Sequence, residues 1–238
     1  MPLKIRAVFF DAGNTLIYPR LDEIAAGLTA QGLAATVEDF HIAERFGKAR
    51  LDEWLWPQIR KGQVPRQVDP YYWGEYLSAL VARLKVPESA RGETINRVVD
   101  RFKDITVWSK IFDDTVPFLQ TLRQRGYYLG VISNSIGTME QQLKRVGLAE
   151  HFDAVLDSAI VGVEKPHPEI FQIALDRAAV AASEAVFVGD TNATDVGGAQ
   201  LAGLTGVLID RVGAYPHADC PRIETLSGLD AILADLSQ

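Results

Sequence analysis

Short apolar runs bounded by Gly, Asp or Ser recur along the chain, at 5–10, 128–132, 185–188 and 206–209, with a weaker one at 154–156. They are rich in β-branched and aromatic residues and lack strict alternation, the pattern of strands covered on both faces. Helical periods fill the intervals at 114–125, 137–146, 168–179, 193–202 and 226–236. Strand and helix therefore alternate, which predicts a parallel sheet joined by right-handed crossovers. Residues 18–110 break this rhythm, with helix-period stretches at 21–32, 37–61, 70–84 and 91–106 and no convincing strand. The simplest architecture is an α/β core with an all-helical insertion between its first and second strands. The aromatics of the insertion, Trp54, Trp56, Tyr71, Tyr72 and Trp73, read first as packing and second as the lining of a ligand pocket.

Composition narrows the class. With 238 residues, 47% hydrophobic and 23% charged, the chain is of ordinary globular make-up and long enough to bury a large core. Collagen-like, disordered and coiled-coil readings are excluded. A net charge of −7 with no basic run opposes binding to nucleic acid, which depends on displacing counterions from phosphates. Cys220 is the only cysteine and cannot form an internal disulfide, and His41, His151, His167 and His217 have no zinc spacing, so a reducing compartment is expected. Only about five apolar residues precede Asp11, too few for a secretory or membrane-spanning segment. A cytoplasmic protein with no membrane partner is the expectation; oligomeric state has no legible signal.

Four features fall at the carboxyl ends of predicted strands, where open α/β sheets bind ligands. They are Asp11 in Phe-Phe-Asp-Ala-Gly-Asn-Thr-Leu, Ser133-Asn134, Lys165 in Glu-Lys-Pro-His-Pro-Glu, and Asp190 with Asp195 in Gly-Asp-Thr-Asn-Ala-Thr-Asp. Asp11 is either a turn cap or a nucleophile towards phosphorus, where a carboxylate divides one hard displacement into two easier ones. The backbone amides of Ala12, Gly13 and Asn14 offer a cradle for anionic oxygens. Ser133 supplies a hydroxyl and Lys165 a fixed positive charge for a phosphoryl group, against the alternatives of a helix cap and a solvated side chain. Asp190 and Asp195 add two carboxylates near Asp11, a crowding that a cation must relieve; oxygen ligands of this kind suit Mg²⁺. Asp195 has a second reading, in which it orients Lys165.

In this order the motifs resemble the haloacid dehalogenase (HAD) superfamily. The resemblance implies a Rossmann-like parallel-sheet core at residues 1–17 and 109–238 with residues 18–108 as a helical cap over the site. It implies Asp11 as nucleophile and Mg²⁺ ligand, Ser133 and Lys165 as phosphate binders, Asn134 beside the substrate, and Asp190 as a metal ligand. Asp195 would be a metal ligand or stand just behind one, and the substrate would be a small phosphorylated molecule.

One departure stands out. Phosphatases of this superfamily usually carry an aspartate two residues after the nucleophile to protonate the leaving group, and here that position is Gly13. Glycine keeps the backbone carbonyl that the resemblance assigns to the metal but loses an acid/base worth about 10²–10⁴ in rate. His41, Glu44 and Lys48 on one predicted insertion helix are candidates to replace it, although a solvated helix face is the simpler reading of all three. The glycine also admits a metal-free 2-haloacid dehalogenase, which Asp190 opposes, and a phosphonate hydrolase using a Schiff-base lysine such as Lys48 or Lys61. A member that holds a phosphorylated ligand without turning it over is the remaining alternative. Cys220, near His217, reads as a surface-loop residue.

Overall fold

The computed structural model describes residues 5–68 and 71–236, with backbone alone at Tyr71 and Tyr72. The chain runs β1 (Ala7–Phe10), β2 (Tyr18–Pro19), α1 (Leu21–Thr29), α2 (Val37–Ile59), α3 (Tyr71–Arg83), α4 (Glu88–Lys103) and β3 (Trp108–Lys110). It continues through α5 (Thr115–Gln124), β4 (Tyr128–Ser133), α6 (Met139–Arg145), β5 (Ala154–Asp157), α7 (Ser158–Val161) and α8 (Pro168–Ala178). The last elements are β6 (Ala185–Gly189), α9 (Gly198–Leu201), β7 (Thr205–Ile209), β8 (Arg222–Ile223) and α10 (Leu229–Asp235).

The expected parallel sheet is present, six strands in the order β5-β4-β1-β6-β7-β8. β1 lies at its centre, pairing Val8 with Leu129 on one side and with Val186 on the other. The period-2 pleat sends Val8 and Phe10 to one face, with Leu129, Val131, Val186 and Leu119. Ala7 and Phe9 point to the other, with Phe171, Phe187 and Leu175 of the α8 side. Both faces are buried, which is why the strand sequences run apolar without alternating.

The interval between β1 and β4 carries α1 to α4, as its helical periods predict. Residue 70, the expected start of α3, lies outside the described residues. Two short strands were not expected: β2 and β3 pair antiparallel at the two ends of the insertion. Both are too short for a periodic signal, as is β8. The α2 helix starts from a capping box, Thr36 Oγ1 accepting from the Asp39 amide at 3.2 Å. Its buried stripe runs Phe40, Ala43, Glu44, Gly47, Lys48, Leu51, Leu55 and Ile59. Two charged residues thus stand in an apolar register.

Of the aromatics read as packing, Trp54, Trp56 and Trp73 do pack; the side chains of Tyr71 and Tyr72 lie outside the described residues. Trp73, Tyr76, Phe102 and Trp108 form a chain of ring contacts with centroids 5.5–6.0 Å apart. Trp54 and Trp56 pack with Leu51, Leu55 and Ile59 against Ala193 and Leu201 of the core. Among the described residues, no helix is long and apolar enough to cross a membrane.

Candidate active site

Asp11 follows the last residue of β1, Ser133 ends β4, Lys165 precedes α8, and Asp190 follows β6. Because β4, β1 and β6 are neighbours, the sheet order gathers Asp11, Ser133 and Asp190 at one edge, whereas Lys165, expected at a strand end, lies beyond α7 and is brought in by the loop before α8. The Asp11 amide donates to Val188 O at 2.8 Å, so the residue continues the ladder for one more bond before the chain turns. Asp190 is 6% exposed, Asp11 7% and Asp195 2%.

Lys165 ties the site together. Its Nζ donates to Asp11 Oδ1 at 2.6 Å and lies 2.8 Å from Asp195 Oδ1. Its backbone is held from the neighbouring loop: the Lys165 amide donates to Asn134 Oδ1 at 2.8 Å, and Asn134 Nδ2 donates to Lys165 O at 2.9 Å. Asn134, expected beside the substrate, therefore spends both ends of its amide on positioning Lys165. The Ser133 hydroxyl, on a residue 3% exposed, makes no hydrogen bond among the described residues and keeps its donor.

Asp195 rides on a π-helical turn, Asn192–Gly197, and sits directly above Gly189, where an added Cβ would come 2.4 Å from its Cγ. Only glycine at 189 admits it. Asp195 Oδ2 accepts from the Thr191 amide at 2.9 Å while Oδ1 faces Lys165, so both oxygens already have partners. This is the geometry of the second reading, orientation of Lys165. Even so, one oxygen each from Asp11, Asp190 and Asp195 lie within 4.8 Å of one another.

The phosphate cradle needs correction. The Asn14 amide donates to Ile17 O at 2.8 Å, closing a tight turn in which Asn14 takes a left-handed φ of 54°. It is not free for a ligand, whereas the Ala12 and Gly13 amides have no protein acceptor among the described residues. At Gly13 a Cβ would meet Trp108 Cζ3 at 3.3 Å. The ring therefore crowds the space that a side chain at position 13 would enter.

The insertion supplies what sequence reading placed in solvent. Lys48, 2% exposed, puts Nζ 2.7 Å from Asp190 Oδ2 and 2.8 Å from Glu44 Oε1. One turn further along α2, Asp52 accepts from the Ala193 amide at 3.0 Å and from Asn192 Nδ2 at 3.2 Å. Arg45 donates to Val212 O at 2.9 Å. Positions 45, 48 and 52 share one helix face, so α2 docks on the loops that carry the site. Beyond α2, the Val68 amide donates to Glu164 Oε2 at 2.8 Å, next to Lys165. His41 lines the cavity beside these groups, facing Glu38 at 3.8 Å. Lys61 lies exposed just beyond α2.

Four carboxylates, Asp11, Asp190, Asp195 and Glu44, stand against the two ammonium groups of Lys48 and Lys165. With all four ionised, the carboxylates exceed the ammonium groups by two negative charges, the charge of one divalent cation. Burial, reinforced by Asp195 and Asp190 and opposed by Lys165, pushes the Asp11 carboxyl up to about 7. Burial also raises Asp195. Burial works against the charge on Lys165, but Asp11 and Asp195 outweigh it and hold the ammonium above its ordinary range. The donor set fits Mg²⁺: carboxylate oxygens not spent on lysine remain on Asp11 and Asp190, and the Gly13 carbonyl accepts no hydrogen bond among the described residues.

A test follows from the raised Asp11 carboxyl. The folded state holds a proton there that the unfolded chain releases above about pH 4, so this group's stabilisation is lost as pH rises through about 7. In EDTA, Asp11→Asn is expected to gain thermal stability over the wild type as pH goes from 5 to 8. Mg²⁺ should raise the wild-type Tm more at pH 8 than at pH 5, because a ligand must be deprotonated. Differential scanning fluorimetry reads both; a Mg²⁺ shift independent of pH would remove Asp11 from the ligand set.

A parallel α/β sheet with an aspartate past its central strand, a lysine bridging two carboxylates and a helical insertion packed against the strand tips defines a class of hydrolase built on one catalytic edge. Residues 5–203 match the family model described as haloacid dehalogenase-like hydrolase. The chain belongs to this family. It is 35% identical to haloacid dehalogenase-like hydrolase domain-containing protein 3 of Danio rerio, an alignment spanning 99% of this chain and 98% of that protein. Among solved structures it resembles a HAD phosphatase from Thermococcus onnurineus, with 27% identity, a TM-score of 0.58 and coverage of 96% and 98%. It equally resembles the L-2-haloacid dehalogenase RSc1362, at 26% identity, TM-score 0.63 and coverage of 97% and 99%.

Proposed function

We propose that the protein is a Mg²⁺-dependent phosphatase that moves a phosphoryl group from a small phosphate ester to Asp11 and then to water. The observation that carries this reading is Asp190, which brings a third carboxylate to Asp11 and Asp195 within 4.8 Å. A departing halide gains nothing from such a charge, whereas a cation held there serves phosphoryl transfer. Similarity to a named HAD phosphatase supports it.

In the first step an Asp11 oxygen attacks phosphorus, the ester P–O bond breaks, and the leaving oxygen departs with its electron pair and takes a proton from water. Water then attacks phosphorus, the acyl-phosphate P–O bond to Asp11 breaks, and inorganic phosphate and the free carboxylate remain. Lys165 holds Asp11 and places an ammonium where negative charge develops, while Ser133 and the Ala12 and Gly13 amides donate to phosphoryl oxygens. Asp11, Asp190 and the Gly13 carbonyl would hold Mg²⁺, with Asp195 behind them orienting Lys165. Bound Mg²⁺ would offset charge on the transferring oxygens. Residues 18–108 act as a cap over the core at 1–17 and 109–238, keeping bulk water from the site and selecting substrate. The lone Cys220 fits a reducing, cytoplasmic setting.

No side chain at position 13 can protonate the leaving group. The enzyme is therefore expected to prefer good leaving groups, turning over p-nitrophenyl phosphate at least ~10²-fold faster than a simple alkyl phosphate. Phosphate release from p-nitrophenyl phosphate in Mg²⁺, abolished by EDTA, is the direct test. The Lys48–Asp190 pair favours a second reading, because it partly neutralises Asp190 without a metal. Chloride release from 2-chloropropionate that persists in EDTA would establish that dehalogenase in place of the phosphatase.

A further inference from the structure

A cavity of about 810 Å³ lies between α2, β3 and the end of β7 and reaches the candidate site at Asn14 and Asp190. Asp190 and Lys48 form one end; Tyr18, Lys110, Phe112 and Arg211 are among its other lining residues. Arg211, two residues past β7, is fixed there. Its Nε donates to Tyr18 Oη at 2.7 Å, and Tyr18 Oη in turn donates to Thr15 O at 3.0 Å. The guanidinium carbon lies 3.9 Å from the Phe112 ring centroid, and Phe112 meets Tyr18 edge-on at 4.4 Å.

This arginine is held, and loosely paired with Asp114, but most of its donors make no hydrogen bond among the described residues. Nε makes its only hydrogen bond among the described residues; Asp114 Oδ1 stands 3.6 Å from Nη2, too far for one, although the side chain is only 11% exposed. The other cations differ. Arg20 is paired with Asp22 and Glu23, and Lys48 with Glu44 and Asp190. Lys110 resembles Arg211: its ammonium lies 5.5 Å from the same Phe112 ring and has no carboxylate partner among the described residues. Arg211, whose Nη2 makes an ion pair with Asp114 but no hydrogen bond, and Lys110 flank one ring in a cavity that ends on Asp190 and Lys48, and together form a receptor for an anion.

We propose that Arg211, assisted by Lys110, binds a carboxylate on the substrate, which makes the substrate class a phosphate ester of a short hydroxy acid. This deepens the phosphatase reading and rests on it. The planar fork of guanidinium donors matches a carboxylate in two parallel hydrogen bonds, and stacking on Phe112 pre-organises the fork. A short skeleton suits the placement, because Asp190 and Arg211 follow the neighbouring strands β6 and β7 and line one cavity.

The test compares 3-phosphoglycerate with glycerol 3-phosphate, which differ in a carboxylate against a hydroxymethyl group. Dissociation constants by calorimetry in Mg²⁺, and inhibition constants against p-nitrophenyl phosphate, should favour 3-phosphoglycerate by about 10- to 100-fold. Arg211→Gln should bring this ratio close to one, and Lys110→Gln, at an exposed position that tolerates substitution, should lower it by a smaller factor. Equal affinities of the wild type for the two esters would overturn the inference. So would tighter binding of propane-1,3-diol bisphosphate than of 3-phosphoglycerate, which would make the second anion a phosphate. No turnover of any phosphate ester, with the affinity ratio retained, would instead overturn the phosphatase and leave the carboxylate site standing.

Discussion

Asp11→Asn is expected to abolish phosphate release, lowering kcat by at least ~10⁴-fold, as loss of a covalent nucleophile does elsewhere. Asparagine fits the same volume, but its amide cannot displace the leaving group. The Oδ1 position can still accept from Lys165, so the lysine keeps both partners and loses only the charge of one. The expected outcome is therefore a folded, inactive protein. Its fold is checked by near-UV circular dichroism and its inactivity by phosphate release from p-nitrophenyl phosphate in Mg²⁺. Activity within tenfold of the wild type would mean that the chemistry passes through water activated elsewhere, and Asp11 would be left as a structural carboxylate.

The core was legible because its strands are covered on both faces, so apolar runs alone locate them, and because strand order then fixes which strand tips meet. Asp11, Ser133 and Asp190 stand at strand ends, where residue type drew attention to them, while Lys165 reaches the same edge from a loop. What escaped is what depends on packing between distant segments. Lys48 reads as one more lysine on a polar helix until α2 is set against the core, although a signal was present. Glu44 and Lys48 fall in the same register as Phe40, Leu51 and Leu55, three or four apart, where a purely solvated pair would not stand. Asp52 lies off that stripe, and Tyr18 and Arg211 are brought together across 193 positions by the β2–β3 pairing and the sheet edge. Trp108 against Gly13 is likewise a contact between a loop after β1 and a strand at the far end of the insertion. No local pattern encodes such pairs.

Lys165→Met should show the other large effect and separates two roles that coincide in the native protein. The ammonium is 2% exposed and bridges two buried carboxylates at 2.6 and 2.8 Å. Methionine fills nearly the same volume, so what is lost is the charge. Removing one member of a buried ionic cluster costs about 3–5 kcal/mol, because the charges left behind have neither water nor partner. Asp11 and Asp195, already raised by burial, would then take up protons, and the variant should be most stable below the pH at which they ionise. Activity is expected to fall by ~10³-fold or more, since the transferring phosphoryl group loses its fixed positive charge. Adding Asp195→Asn to Lys165→Met removes one orphaned carboxylate. If the cluster is an electrostatic unit, the double variant should recover at least ~1–2 kcal/mol in urea unfolding while its activity stays lost. Recovery of activity along with stability would show instead that Lys165 serves only to keep the loops folded, and that phosphoryl transfer draws its positive charge from another group.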